Sequence, residues 1–131
     1  MGRSFFARTD QDVPGQTIAR VEVQGLLSKL LAKEGVDVNQ ADKDGWTPLL
    51  IASQNGHTEV VSLLLAKEGV DVNLADKKGY TPLLVASQSG HTKVVSLLLA
   101  KEGVDVNQAH KDGVTPLLFA SQKGHTKVVS L

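Results

Sequence analysis

The chain contains no cysteine. That excludes disulfides, thiolate zinc sites and cysteine nucleophiles, while saying nothing about compartment. It has no charge surplus either: 14 Lys and Arg balance 14 Asp and Glu with His neutral. There is thus no excess of cations to hold a phosphate backbone and no acidic tail, which argues against nucleic acid as a partner. No apolar run approaches the roughly 18 residues of a spanning helix, so membrane insertion is not expected. Aromatic residues make up only 4%, too few for a core built around large rings. What is present is 131 residues at 41% apolar composition. That is about one small domain, and too hydrophobic to remain disordered.

The first residues carry no convincing address. Met1-Gly2 opens like a myristoylation signal, but Phe6 stands where Ser or Thr is wanted. Phe5-Phe6-Ala7 is too short for a signal-peptide core, and Asp10 and Asp12 argue against a transit peptide. A cytoplasmic location is the default expectation.

The dominant feature is internal repetition. Gly45-Trp46-Thr47-Pro48-Leu49-Leu50 returns as Gly79-Tyr80-Thr81-Pro82-Leu83-Leu84 and as Gly113-Val114-Thr115-Pro116-Leu117-Leu118, with a period of 34. Residues 41–74 and 75–108 agree at 28 of 34 positions, and residues 109–131 agree with the corresponding earlier stretch at 18 of 23. Such a chain is read one unit at a time.

Each unit is punctuated for two helices. Thr47 is a good N-cap with Pro48 at the first helical position, where its missing N–H costs nothing. Gly56 supplies a positive φ to close that helix. Thr58 is expected to cap a second helix, whose apolar face is Val60, Val61, Leu64 and Leu65, and Gly69 to end it. Val70-Asp71-Val72-Asn73 then reads as extended, and Asp76-Lys77-Lys78-Gly79 as a turn. The pattern predicts helix pairs near 47–55 and 58–67, 81–89 and 92–101, and 115–123 and 126–131. Hairpin-like connections are expected near 70–80 and 104–114. One such pair cannot bury its own apolar face, whereas stacked copies can; Ala52 and Ser53 are small enough to let neighbouring helices approach.

Asp-x-x-Gly-x-Thr-Pro-Leu, then Ala, then Gly-His-x-x-Val-Val-x-Leu-Leu-Leu and Gly-x-Asp-Val-Asn resembles the ankyrin repeat. The match is strong over residues 42–131 and partial over 21–40. The resemblance implies an all-α solenoid of stacked antiparallel helix pairs with projecting β-hairpin-like loops. Three departures stand out. The period is 34 where the family's is 33, with the extra residue placed in Ala66-Lys67-Glu68-Gly69. The usual Thr-Pro-Leu-His is Thr-Pro-Leu-Leu at Leu50, Leu84 and Leu118, so the histidine's contact between repeats is missing. The common Ala-Ala pair is Ala-Ser at Ser53, Ser87 and Ser121.

The chain divides into an irregular segment at 1–19, a degenerate half repeat at 20–40, full repeats at 41–74 and 75–108, and a truncated repeat at 109–131. Pro14 lies one period before Pro48 but lacks the apolar helix that follows it. At the other end only Lys127-Val128-Val129-Ser130-Leu131 follow Thr126. The last repeat is therefore expected to be the least stable part, and the chain either to belong to a longer array or to self-associate through this end.

Catalytic chemistry is not expected. His57, His91 and His125 are repeat-equivalent, and stacked helices lie about 8–10 Å apart. Zinc needs nitrogens at about 2.0–2.1 Å, so the three cannot share one metal; each is read as a local structural bond. His110, in place of Asp42 and Asp76, reads as neutral drift. The aspartates recur in identical surroundings, whereas an acid–base pair needs two differently tuned ones. There is no nucleophile elbow, phosphate loop or cofactor motif.

The differences between repeats say more. Asp44/Lys78/Asp112 and Trp46/Tyr80/Val114 vary on the hairpin, and Asn55/Ser89/Lys123 at the end of the first helix. Ile51/Val85/Phe119 varies but stays apolar, and is assigned to core packing. In proteins that this chain resembles, the hairpins and first helices form a concave partner-binding surface. Asp44, Trp46, Asn55, Lys78, Tyr80, Ser89 and Asp112 are therefore the candidate contacts to another protein; unselected drift is the competing explanation. Trp46 and Tyr80, the only Trp and Tyr, are candidate hot spots, or else simply pack on neighbouring hairpins. Charge is uneven: 2 basic against 5 acidic residues over 41–74, 4 against 3 over 75–108, and 3 against 1 over 109–131. An acidic-to-basic gradient of this kind could orient a partner.

The leading expectation is a non-catalytic protein–protein interaction module. The alternatives are a spacer or targeting segment of a larger protein whose activity lies elsewhere, and a scaffold without an evolved partner. The resemblance also implies possible hydroxylation at Asn39, Asn73 and Asn107, with Leu31, Leu65 and Leu99 eight residues earlier; a structural turn role is the competing reading.

Overall fold

The structure, a computed structural model, describes residues 25–124. The expectation for a helix at 126–131 lies outside them. Among the described residues there are six helices and no strand. They are α1 (25–32), α2 (Pro48–Asn55), α3 (Thr58–Ala66), α4 (Pro82–Ser89), α5 (Thr92–Ala100) and α6 (Pro116–Gln122). The first helices α2, α4 and α6 pack side by side, and α3 and α5 form a second row behind them. The result is an all-α repeat solenoid.

The local signals act as their chemistry requires. The hydroxyls of Thr47, Thr81 and Thr115 accept from the backbone N–H of Leu50, Leu84 and Leu118 at 3.2, 3.2 and 3.3 Å. Each satisfies one of the unpaired donors at a helix start. Gly56 and Gly90 end α2 and α4 at φ 73° and 74°, a left-handed conformation that a Cβ disfavours. Only Gly56 and His57 separate α2 from α3, so the chain reverses at once.

Two terminal assignments need correction. The N-caps of α3 and α5 are His57 and His91, with no side-chain capping bond, and Thr58 and Thr92 are the first helical residues. The tight turn at glycine leaves no room for another non-helical residue. At the other end, α3 and α5 stop at Ala66 and Ala100; Lys67 and Lys101 are already extended, ahead of Gly69 and Gly103. The Lys101 ammonium reaches back to the Leu65 carbonyl at 2.9 Å, joining successive repeats.

The core is a layer of Leu, Val and Ala between repeats, including Val61, Leu64, Ala86, Val94 and Leu98. Leu50 and Leu84, which stand where histidine is usual, are completely buried. A bond between repeats comes from elsewhere: His91 Nε2 lies 2.9 Å from the Gln54 carbonyl.

Ser53 is also completely buried, and its hydroxyl has no hydrogen-bond partner. Such an orphaned group costs about 1–3 kcal/mol in desolvation, and alanine is the better helix former. Ser53→Ala is expected to raise unfolding free energy by about 1 kcal/mol in urea denaturation. A lower midpoint at unchanged slope would contradict this.

Candidate functional site

Each hairpin tip is built around one side chain. Asp42 Oδ1 accepts from the backbone N–H of Asp44 and of Trp46, both at 2.9 Å. Asp76 Oδ1 does the same for Lys78 and Tyr80, also at 2.9 Å. These bonds fix where residues 44, 46, 78 and 80 leave the chain. In the third hairpin His110 Nδ1 accepts from the Asp112 N–H at 2.9 Å, and His110 is only 9% exposed. It is therefore a structural substitute for aspartate rather than a neutral replacement. Neighbouring tips are tied by backbone bonds, from Lys77 N–H to Asp44 C=O at 3.2 Å and from Lys111 N–H to Lys78 C=O at 3.1 Å.

The hairpin asparagines join the bases of successive units. Asn39 Nδ2 donates to Gly69 C=O and its Oδ1 accepts from Asp71 N–H, both at 2.8 Å. Asn73 repeats both bonds with Gly103 and Asp105 at 2.8 Å. Asn107 is exposed, and its own N–H is held by Asp105 Oδ1 at 3.0 Å. The amides of Asn39 and Asn73 are thus committed to the next repeat. Asn73→Ala removes two such bonds whose partners can turn to water, and is expected to cost about 1–2 kcal/mol. Thermal unfolding checks this; an unchanged midpoint would show that water replaces the amide fully.

Between the first two tips and the helices beside them lies a groove of about 540 Å³. Asp44, Trp46, Lys78 and Tyr80 all line it, so four of the seven sequence candidates come together. Asn55, Ser89 and Asp112 do not line it. The Asn55 side-chain nitrogen is buried, while Ser89 and Asp112 are exposed. The first helices instead contribute Gln54 and Gln88, together with Val85. Gln54 and Gln88 are identical between repeats, so a search for differences passes over them; they lie one residue before the variable position. Asp76 and Lys77 complete the lining.

Tyr80 also has partners within the chain. Its ring stacks on Phe119 with centroids 6.0 Å apart and planes 12° apart, and lies 5.0 Å from His110. His110 meets Phe119 edge-on at 5.4 Å. Phe119 is buried, in keeping with its core assignment, and Tyr80 both packs on the next unit and faces the groove.

Among the described residues no three His, Asp or Glu side chains come together as metal ligands would. His57 and His91 stand before separate helices, and His125 lies outside the described residues. No helix of the described residues is long and apolar enough to cross a membrane.

A family model described as "Ankyrin repeats (3 copies)" matches residues 18–110. The chain is 53% identical over 38 residues to cortactin-binding protein 2 of Ornithorhynchus anatinus, covering 29% of this chain and 2% of that protein. It is 49% identical over 35 residues to the Notch-regulated ankyrin repeat-containing proteins of Xenopus tropicalis and Xenopus laevis, covering 27% of this chain and 31% of each relative. The chain thus spans well under two thirds of the length of these relatives.

Proposed function

We propose, since the chain belongs to the ankyrin-repeat family, that it is a non-catalytic module that binds another protein on its hairpin and first-helix face. Ankyrin repeats are generally protein-interaction modules. The observation that carries the finer reading is the groove in which Asp44, Trp46, Lys78 and Tyr80 converge. Trp and Tyr are the residue types enriched at interface hot spots, and Trp46 and Tyr80 stand half-buried there with charged groups of both signs around them. The balanced net charge favours a protein over a nucleic acid.

The partner is obtained by affinity capture from the source organism, and its affinity is then measured by titration calorimetry. Replacing Trp46 and Tyr80 together by Ala is expected to weaken binding by more than about 2 kcal/mol, roughly thirtyfold. Because Tyr80 stacks on Phe119, its loss also costs stability, so each single variant is measured for unfolding as well as for binding. Binding that survives both changes but is lost on altering the outer faces of α3 and α5 would move the interface to the opposite side.

A second reading, a segment of a larger protein with its activity elsewhere, draws support from the small share of cortactin-binding protein 2 that is matched. The full open reading frame in the source genome decides it. Self-association is supported by Leu117 and Leu118 on α6, 61% and 54% exposed; sedimentation equilibrium over a wide concentration range tests it. Hydroxylation of Asn39, Asn73 or Asn107 is tested by intact mass of native-source protein, where no added oxygen would remove the idea.

A further inference from the structure

The repeats allow one junction to be compared with the next. Positions 46, 76 and 85 at the first junction correspond to 80, 110 and 119 at the second. At the second junction all three are rings, Tyr80, His110 and Phe119, packed within 5.0–6.0 Å of one another. At the first junction they are Trp46, Asp76 and Val85, and all three line the 540 Å³ groove. Valine is smaller than phenylalanine by most of a ring. Aspartate puts a carboxylate where the imidazole stands. One junction is therefore filled by the chain's own rings. At its counterpart Val85 is also buried, 3% exposed, so the open groove lies along half-buried Trp46 and Asp76.

We infer that this groove takes the planar guanidinium of an arginine presented by the partner protein. The inference rests on the docking reading above and names the chemistry recognised there. The second junction shows the shape accepted, a flat group lying against the aromatic side chain of the hairpin. The first junction adds charge. Asp76 is half-buried, and its Oδ1 accepts from the Lys78 and Tyr80 N–H groups. A carboxylate has capacity for further donors at its other oxygen. Asp44 adds a second carboxylate at the exposed edge. A neutral ring would strip water from Asp76 without replacing its hydrogen bonds. A lysine would offer charge without a plane to lie on the indole. Arginine supplies both, with stacking, cation–π attraction and forked donors in one group. Lys77 and Lys78 also line the groove, but both are exposed, and their long stems can carry the ammonium groups out to water.

Trp46 is the only tryptophan, so its fluorescence reports on the site directly. The full chain is titrated with the capped peptide acetyl-Gly-Gly-Arg-Gly-Gly-amide and with counterparts carrying Lys or Phe in place of Arg. The expected result is a saturable change with the Arg peptide and at least fivefold weaker binding of the other two. Asp76→Asn keeps an oxygen for the two turn N–H groups and removes the charge; it should weaken the Arg peptide at least fivefold. The double variant Val85→Phe/Asp76→His gives the first junction the imidazole and phenyl of the second, with Trp46 kept in place of tyrosine, and should abolish binding while remaining folded by circular dichroism. If that variant does not fold, Asp76→Asn still decides. No saturable response, equal binding of the Lys or Phe peptide, or unchanged binding to Asp76→Asn would overturn the inference. The docking reading fails separately, on partner binding that is indifferent to Trp46→Ala. If Trp46→Ala weakens the partner while the Arg peptide never binds, docking stands and the arginine assignment falls.

Discussion

Leu84→Ala is expected to lower unfolding free energy by about 4 kcal/mol, towards the upper end of the range for removing a buried leucine. Leu84 has no exposed surface. It lies in α4, which packs on α2 and α6 at its sides and on α5 behind. A side chain with no exposed surface leaves a closed cavity when it is truncated, so both the transfer and the cavity costs are felt. The position also matters, because α4 belongs to the middle repeat. In a solenoid each unit is stabilised through its neighbours, so a break in the middle uncouples both sides. The repeat supplies its own control. Leu118 is the equivalent residue in α6 and is 54% exposed, so Leu118→Ala is expected to cost less than about 1 kcal/mol. Urea denaturation of the two variants tests burial against sequence identity. Equal losses would contradict the burial contrast.

That contrast marks the boundary of what the sequence could say. Thr47-Pro48 and Gly56 are local signals, and the helices they delimit appear within a residue or so of where the pattern puts them. The second-helix caps were less legible because His57 stands in the cap position without a capping side-chain bond. Contacts between units were the least legible. His91 meets a carbonyl 37 residues earlier, and Asn39 and Asn73 each meet backbone 30–32 residues later. No window of the chain contains both partners. The groove was half legible. Variation between copies pointed to Asp44, Trp46, Lys78 and Tyr80, while Gln54 and Gln88 were hidden by being identical. His110 was misjudged for a related reason: a changed residue reads as drift unless its new acceptor is seen to hold the same backbone N–H.

Gly79→Ala is expected to cost about 3–4 kcal/mol. Gly79 sits at φ +87°, where a Cβ is strained by about 1–2 kcal/mol. The larger consequence is contact. A Cβ there would lie 2.9 Å from His110 Cα and 3.0 Å from the Lys111 nitrogen. Both are backbone atoms and cannot swing aside, so the third hairpin must move away from the second. That movement breaks the bond from Lys111 N–H to Lys78 C=O, now 3.1 Å, worth about 1 kcal/mol. It also loosens His110 from Tyr80, 5.0 Å apart, an aromatic pairing worth about 0.5–1.5 kcal/mol. Gly69 separates these contributions. Its φ is +86°, nearly the same, but a Cβ there would meet nothing within 4 Å. Gly69→Ala is therefore expected to show the strain alone, about 1–2 kcal/mol. Amide exchange should also speed up at Lys111 in the Gly79 variant and stay unchanged there in the Gly69 variant. If the two variants unfold at the same denaturant concentration, the close approach of the hairpins contributes nothing beyond backbone strain.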